Sequence, residues 1–290
     1  MLPVASLLPN RPDNARRRAL GLLLERDPLT KAAGALRFHA QAPAVDPSER
    51  IEEPPGIPGR PERPPLVAHA QLKRRSPNSV AGRASLLHAI AHIELNAIDL
   101  ALDAVWRFAG MPLQFYVDWI KVAREEAHHF SLLAEHLGTL GFQYGDFPAH
   151  NALWEMAQRT RGDVLARIAL VPRTLEARGL DASPPIRAKL AQAGDLRAAE
   201  ILDVILRDEI GHVAIGNRWF HWLCEARELD PIATFARLAN EYDAPRLRGP
   251  FNLPARRAAG FSESELIALQ SVDFQADQAS RPFRTKQFHA

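Results

Sequence analysis

The chain has 290 residues, 47% of them hydrophobic, and a net charge of +2, enough for one large domain or two small ones around a sizeable core. Its single cysteine, Cys224, excludes an intramolecular disulfide and points to a reducing compartment. The opening ten residues lack the basic start and apolar stretch of a secretory signal, and no uncharged apolar run is long enough to span a bilayer, so the expectation is a cytoplasmic protein with no membrane partner.

Thirteen of the 23 prolines fall in residues 1–80. The run Glu-Pro-Pro-Gly-Ile-Pro-Gly-Arg-Pro-Glu-Arg-Pro-Pro forms neither a long helix nor a central strand, and predicts an extended arm. A short helix over 14–25, with Arg16, Arg17 and Arg18 beside a run of leucines, precedes it. Charge is uneven. Residues 1–80 carry +5, residues 245–290 carry +3 and the middle carries −6. Basic flanks can approach nucleic acid. These arginines are scattered rather than clustered, which favours ordinary solvated surface.

From residue 85 to 108, Leu87, Ile90, Ala91, Glu94, Ala97, Ile98, Ala101, Val105 and Phe108 repeat at helical spacing. Gly110 and Pro112 end that helix and open a second, reaching residue 137, whose stripe includes Trp119, Val122, Glu126, His129, Phe130 and Leu133. Residues 142–162 form a crossover with a short helix over 152–159, where Trp154 packs and Glu155 faces solvent. A third helix begins near Asp163, kinked by Pro172, with Glu176 on its inner face. The fourth, over 195–224, carries Leu202, Ile205, Glu209, His212, Val213 and Gly216 on one stripe. One more helix is expected over 230–241, and Ser262-Glu-Ser-Glu265 reads as a capping box opening a last one through Leu269. The basic segment from Arg281 closes the chain as a frayed or draped tail.

A glutamate followed by a Glu-x-x-His motif occurs twice. Glu94 precedes Glu126 by 32 positions, and Glu176 precedes Glu209 by 33. Residues i and i+3 share one side of a helix, so Glu126 with His129, and Glu209 with His212, each present an oxygen and a nitrogen to one point. Each pair is expected to serve one metal ion, with Glu94 and Glu176 completing the set and some carboxylates bridging. Four carboxylates buried without cations would repel one another or take up protons, so the recurrence favours two metal ions over a chance burial. Carboxylate and imidazole ligands suit iron, manganese or zinc, and two such sets on four helices favour iron or manganese. The competing pair Glu125 and His128 shares a face with Asp118 and Lys121 and is placed outside the site. His88 and His92, four apart, are assigned to the surface, and Cys224 to buried packing.

In order and spacing, Glu94, Glu126-x-x-His129, Glu176 and Glu209-x-x-His212 resemble the ferritin-like di-iron carboxylate superfamily over residues 81–226. The phrases Leu-His-Ala-Ile-Ala-His-Ile-Glu94, Leu-Val-Pro-Arg-Thr-Leu-Glu176, Asp208-Glu-Ile-Gly-His212 and Pro250-Phe-Asn252 are similar to an uncharacterised bacterial ferritin-like family, itself distantly similar to tRNA-modifying di-iron hydroxylases. The resemblance implies an all-α fold. Residues 1–80 would be a Pro-rich arm with a short helix, 81–226 a ferritin-like four-helix bundle with a di-metal site, and 227–290 a C-terminal helical extension packing on the bundle. It also implies that the acidic residue before each motif holds the opposite histidine, Asp208 on His129 and Glu125 on His212.

The function so implied is a di-iron, or iron/manganese, oxidase or hydroxylase that activates dioxygen on an organic substrate, with a small molecule and an electron donor as partners. The alternatives are an iron-binding or ferroxidase protein without organic substrate, and a metal-bound scaffold without catalysis. A tRNA substrate rests only on the basic flanks and the distant hydroxylase likeness. The arm and tail would obstruct a storage cage, so a monomer or small homo-oligomer is expected.

Overall fold

A computed structural model describes residues 14–38, 44–73 and 75–271. The opening ten residues and the basic segment from Arg281 lie outside them. The regular secondary structure of the described residues is helical, with isolated parallel bridges at Asn14–Ala44 and Leu66–Ala149.

Four long stretches carry the candidate ligands. Helix α3, Val80–Arg107, packs against α4, Leu113–Thr139. Helix α6, Val164–Leu170, continues through a π-helical turn, Val171–Glu176, into α7, Ala177–Gln192, and both packs against α8, Leu196–Ala226. Contacts between α4 and α8 join the two pairs into one helical bundle. Leu87, Ile98, Trp119, Phe130, Ile205 and Phe220 are among the side chains buried in its core, where each large apolar group contributes about 1.5–3 kcal/mol. Helix α3 has mean hydropathy 1.2 over 18 residues, long and apolar enough to cross a membrane by composition alone, yet 72% of that window is buried inside the protein.

Local chemistry sets the ends. Ser79 Oγ caps α3 by accepting the Gly82 N–H at 3.1 Å, so the helix starts five residues ahead of the expected 85. Pro172 has no N–H, and the chain takes up one extra residue in that turn. The Ala177 N–H then bonds to the Pro172 carbonyl, and Thr174 Oγ1 to the Ala169 carbonyl at 2.9 Å. The expected kink is thus a π turn, and it ends on Glu176. Gly216 of α8 faces it, since a Cβ there would stand 2.7 Å from Pro172 Cβ.

The N-terminal segment holds more helix than expected. Helix α1, Ala15–Leu24, is capped by Asn14. A second helix, α2, Pro28–Leu36, opens on Asp27 as N-cap with Pro28 in the first turn. They pack on α3 and α4. The proline-rich stretch is tied down where the Val67 N–H donates to the Ala149 carbonyl at 2.8 Å and the Ala149 N–H to the Pro65 carbonyl at 3.1 Å.

Beyond the bundle, α5, Ala152–Arg159, and α9, Pro231–Glu241, lie where expected. Helix α10, Leu253–Ala258, was not expected, and α11, Glu263–Gln270, opens on the Ser262/Glu265 capping box.

Several polar residues sit elsewhere than the sequence suggests. Arg16 and Arg256 are fully buried and Lys31 nearly so, against the expectation of solvated basic flanks. Arg16 reaches backbone carbonyls, Arg256 pairs with Asp181, and Lys31 pairs with Asp99. His88 and His92, assigned to the surface, are buried under the crossover beside Tyr144. Asp118, assigned to the outer face of α4, is buried against α8, where Trp219 Nε1 donates to it at 2.8 Å and Arg218 pairs with it.

Candidate metal centre

Glu94 projects from α3, Glu126 and His129 from α4, Glu176 from the end of the π turn, and Glu209 and His212 from α8. Ligand-capable atoms of Glu94, Glu126, His129 and Glu209 all lie within 4.8 Å of one another, and all four residues are buried. His212 adjoins them, its Nδ1 2.9 Å from Glu126 Oε1 and 3.8 Å from Glu209 Oε2. Glu176 stands outside the tight group of four but close enough for the charges of Glu126, His212 and Glu94 to act on it. The competing pair faces outward: His128 is exposed and Glu125 half-buried.

Each imidazole is held from behind. His129 Nε2 donates to Asp208 Oδ2 at 3.1 Å, and His212 Nε2 donates to Glu125 Oε2 at 2.9 Å. Both rings therefore turn Nδ1 inward. His129 Nδ1 lies 3.1 Å from Glu94 Oε2 and 3.3 Å from Glu126 Oε2. Glu126 thus spans the two rings, one oxygen toward each, and His212 is nearer to it than to its own motif partner Glu209. Glu126 is therefore shared between the two histidines in this structure.

Electrostatics follow from that placement. Burial, then the charge of Glu126, raises the Glu94 carboxyl to about 7. The same two causes raise Glu176 to about 8 and lift Glu209 well above its ordinary 4.5. For Glu126, burial works upward, but the His212 charge and the hydrogen bond from His129 more than offset it, and its pKa falls. Burial would lower both imidazoles. Hydrogen bonds from His129 to Glu126 and Glu94 push His129 up to about 12, and the Glu126 charge with the Glu125 bond lifts His212 well above 6.5. The raised carboxyls of Glu94, Glu176 and Glu209 favour taking up protons, which offsets part of the cluster's negative charge.

Protons do not complete it. Glu126 Oε1, Glu176 Oε2, Glu209 Oε2 and His212 Nδ1 are buried and lack a hydrogen-bond partner. The 2.9 Å approach of His212 Nδ1 to Glu126 Oε1 is out of line for one. An unpaired buried polar atom costs about 1–3 kcal/mol, more if charged. Four buried atoms without a hydrogen bond, two of them facing each other as an ion pair, all of metal-ligating types and on the residues of one cluster, fit a site for cations.

Reasoning from sequence missed a second polar stripe. On α3, His88, His92, Asn96, Asp99 and Asp103 follow at steps of four, four, three and four, and all five are buried. That periodicity was visible, but the two histidines alone read as surface.

An all-helical protein built around a buried Glu/His cluster able to hold a metal ion is therefore defined by fold and site together. Residues 24–267 match the family described as a protein of unknown function (DUF455), and the chain belongs to that family. A curated relative, an uncharacterized protein of Haemophilus influenzae, is 53% identical over 220 residues, spanning 73% of this chain and 76% of its own length. No solved structure matches the chain.

Proposed function

We propose that this chain is a ferritin-like di-metal carboxylate protein, and that it acts as an oxidoreductase using dioxygen on an organic substrate. The observation that carries this reading is the set of four buried ligand atoms on Glu126, Glu176, Glu209 and His212 that make no hydrogen bond. Glu94, Glu126, His129, Glu176, Glu209 and His212 would hold two iron ions, with manganese as the alternative. Asp208 and Glu125 fix the two rings with Nδ1 inward. The ions, when bound and reduced, supply electrons to dioxygen. The chain's own contribution is to bury the site, keep competing donors away from it, and place Glu126 between its halves. The π turn supports the reading, because such turns concentrate at functional sites and this one delivers Glu176. Substrate and electron donor must come from outside the chain.

Anaerobic titration of metal-free protein with Fe(II), followed by metal analysis, tests it. Saturation at two ions per chain is expected, with iron-dependent dioxygen uptake once a reductant is added. Glu126→Ala is expected to lose saturable binding while keeping its helical circular dichroism. Protein that neither carries nor acquires a transition metal overturns the proposal. Uptake far beyond two ions per chain redirects it to iron storage.

A further inference from the structure

The polar stripe of α3 lies about half a turn around the helix from Glu94 and takes no part in the cluster. Most of it is satisfied. His88 Nε2 accepts the Gly145 N–H at 2.9 Å, and Asp103 pairs with Arg107 and Arg167. His92 Nε2 donates to the His150 carbonyl at 3.0 Å, so its Nδ1 accepts the Tyr144 hydroxyl at 2.8 Å. Its role is to fix Tyr144. His88 Nδ1 and Asn96 Oδ1 are left without a partner. Asn96 commits its Nδ2 to the His92 carbonyl at 2.7 Å and leaves Oδ1 without a partner, though the residue is only 2% exposed. Asp99 pairs with Lys31, which also donates to the Gly59 carbonyl at 3.0 Å.

Asn96, Asp99 and Tyr144 line a cavity of about 230 Å³ roofed by the proline-rich segment, with Arg60 and Leu66 among its other walls. A water occupies about 30 Å³ and a cavity of about 150 Å³ admits benzene, so this space exceeds what solvating one oxygen requires. Beside Glu62, His92 and Tyr144, its polar groups are of two kinds. Asn96 Oδ1, which has no partner, and Asp99, whose Oδ1 already holds Lys31 and whose Oδ2 stays an acceptor, lie one helical turn apart and offer two oxygens to an N–H donor. Arg60 has five N–H donors, with Nη2 bonded to Asn151 Oδ1 at 2.6 Å, and suits a carboxylate. Leu66, Leu95 and the prolines leave apolar surface between them.

We propose that this cavity binds a small zwitterion of the free amino-acid class, its ammonium at Asn96 Oδ1 and Asp99 and its carboxylate at Arg60. The site is separate from the metal cluster, and its occupancy does not depend on the oxidoreductase reading.

Calorimetric titration of the full chain with the common amino acids, one at a time, tests this directly. At least one is expected to saturate at or below millimolar concentration. For that ligand, the matched amine and the matched carboxylate (ethylamine and propionate, where the ligand is alanine) are each expected to bind at least about tenfold more weakly. Arg60→Met is expected to weaken binding by at least about tenfold with little change in melting, because Arg60 is a partly exposed loop residue. A crystal grown with the best ligand should place it between Arg60 and Asn96, which keeps the test decisive if the variant folds poorly. No saturable binding by any of them, equal binding by a half-molecule, or density elsewhere overturns the proposal.

Discussion

Glu126 stands between the two imidazoles, and that position governs how the metal-free cluster responds to pH. Its neighbours Glu94 and Glu176 are held at about 7 and about 8, above an ordinary 4.5. The folded state therefore binds their protons more tightly than the unfolded chain does, and stability must fall as pH rises from 4.5 through about 8. His129, raised to about 12, adds to the same trend. Glu126, lowered, acts oppositely, and its contribution disappears only on acidification below its ordinary 4.5. Chelated protein should thus melt at least about 5 °C lower at the alkaline end of that window than at the acid end. Fe(II) or Mn(II), added anaerobically, should remove the difference, because the ion replaces the protons and releases them to buffer. A melting temperature that rises with pH in chelator would contradict this account. Asp208→Asn and Glu125→Gln probe the same rings from behind. Each should weaken metal binding about 10–100-fold, measured by competition with a chromogenic chelator, while changing melting little. Equal effects from Arg124→Gln, an exposed neighbour, would remove the special role of both carboxylates. The inner residues were legible in sequence because a carboxylate on an apolar stripe is anomalous, and helix phase separates Glu126 and His129 from Glu125 and His128. Asp118 was not, because its partners Trp219 and Arg218 lie one hundred or more residues away in sequence.

The π turn joins sequence to site most directly among the helical features. Pro172 forbids the regular bond, the extra residue is accommodated, and Glu176 emerges at its end. Gly216 makes room for it on α8, since its Cβ would meet Pro172 Cβ at 2.7 Å and Cγ at 2.9 Å. Gly216→Ala should therefore push the turn away, costing about 1–2 kcal/mol after the roughly 1 kcal/mol gained from replacing a helical glycine. Its larger effect should fall on metal binding through Glu176. Gly211→Ala, on the same helix and inside the Glu-x-x-His motif, meets nothing within 4 Å and should leave the fold as stable or stabler. Denaturant melts and Fe(II) titrations of the two variants side by side make the comparison. A Gly216 variant with normal metal affinity would detach the turn from the site. Pro172 announced a break in the sequence, but not its form, because whether a proline kinks a helix or inserts a π turn depends on what lies opposite. Helix α2 is hard to read from sequence for a related reason: its Asp27 cap and Pro28 start sit in a segment whose proline content suggests extended chain.

Taken as one body, the protein uses its N-terminal segment to finish the bundle. The last carbonyls of α3 lack partners within their helix. Arg16 of α1 supplies them, with Nη2 donating to the Trp106 carbonyl at 2.7 Å and Nε to the Val105 carbonyl at 3.2 Å. Its Nη1 also bonds to the Asp46 carbonyl at 3.1 Å and to the Glu49 carbonyl. One buried cation thus clamps α1, the segment after it and the C-terminal end of α3, where positive charge is favoured by the helix dipole. Such an arginine is hard to recognise from sequence, where Arg16, Arg17 and Arg18 look alike and only the fold shows that Arg16 is fully buried while Arg18 is exposed. Arg16→Met keeps most of the aliphatic packing and removes the donors, leaving several buried carbonyls unpaired. It should cost about 3 kcal/mol and lower the melting temperature by about 6 °C. Arg18→Met, on the same helix, should change stability by no more than about 0.5–1 kcal/mol. Because α3 also carries Glu94 and the Asn96–Asp99 wall of the cavity, hydrogen exchange in the Arg16 variant should accelerate first at the C-terminal turns of α3 and reach those residues only with global unfolding. Exchange that loosens α3 uniformly would mean that the clamp supports the whole helix rather than its end.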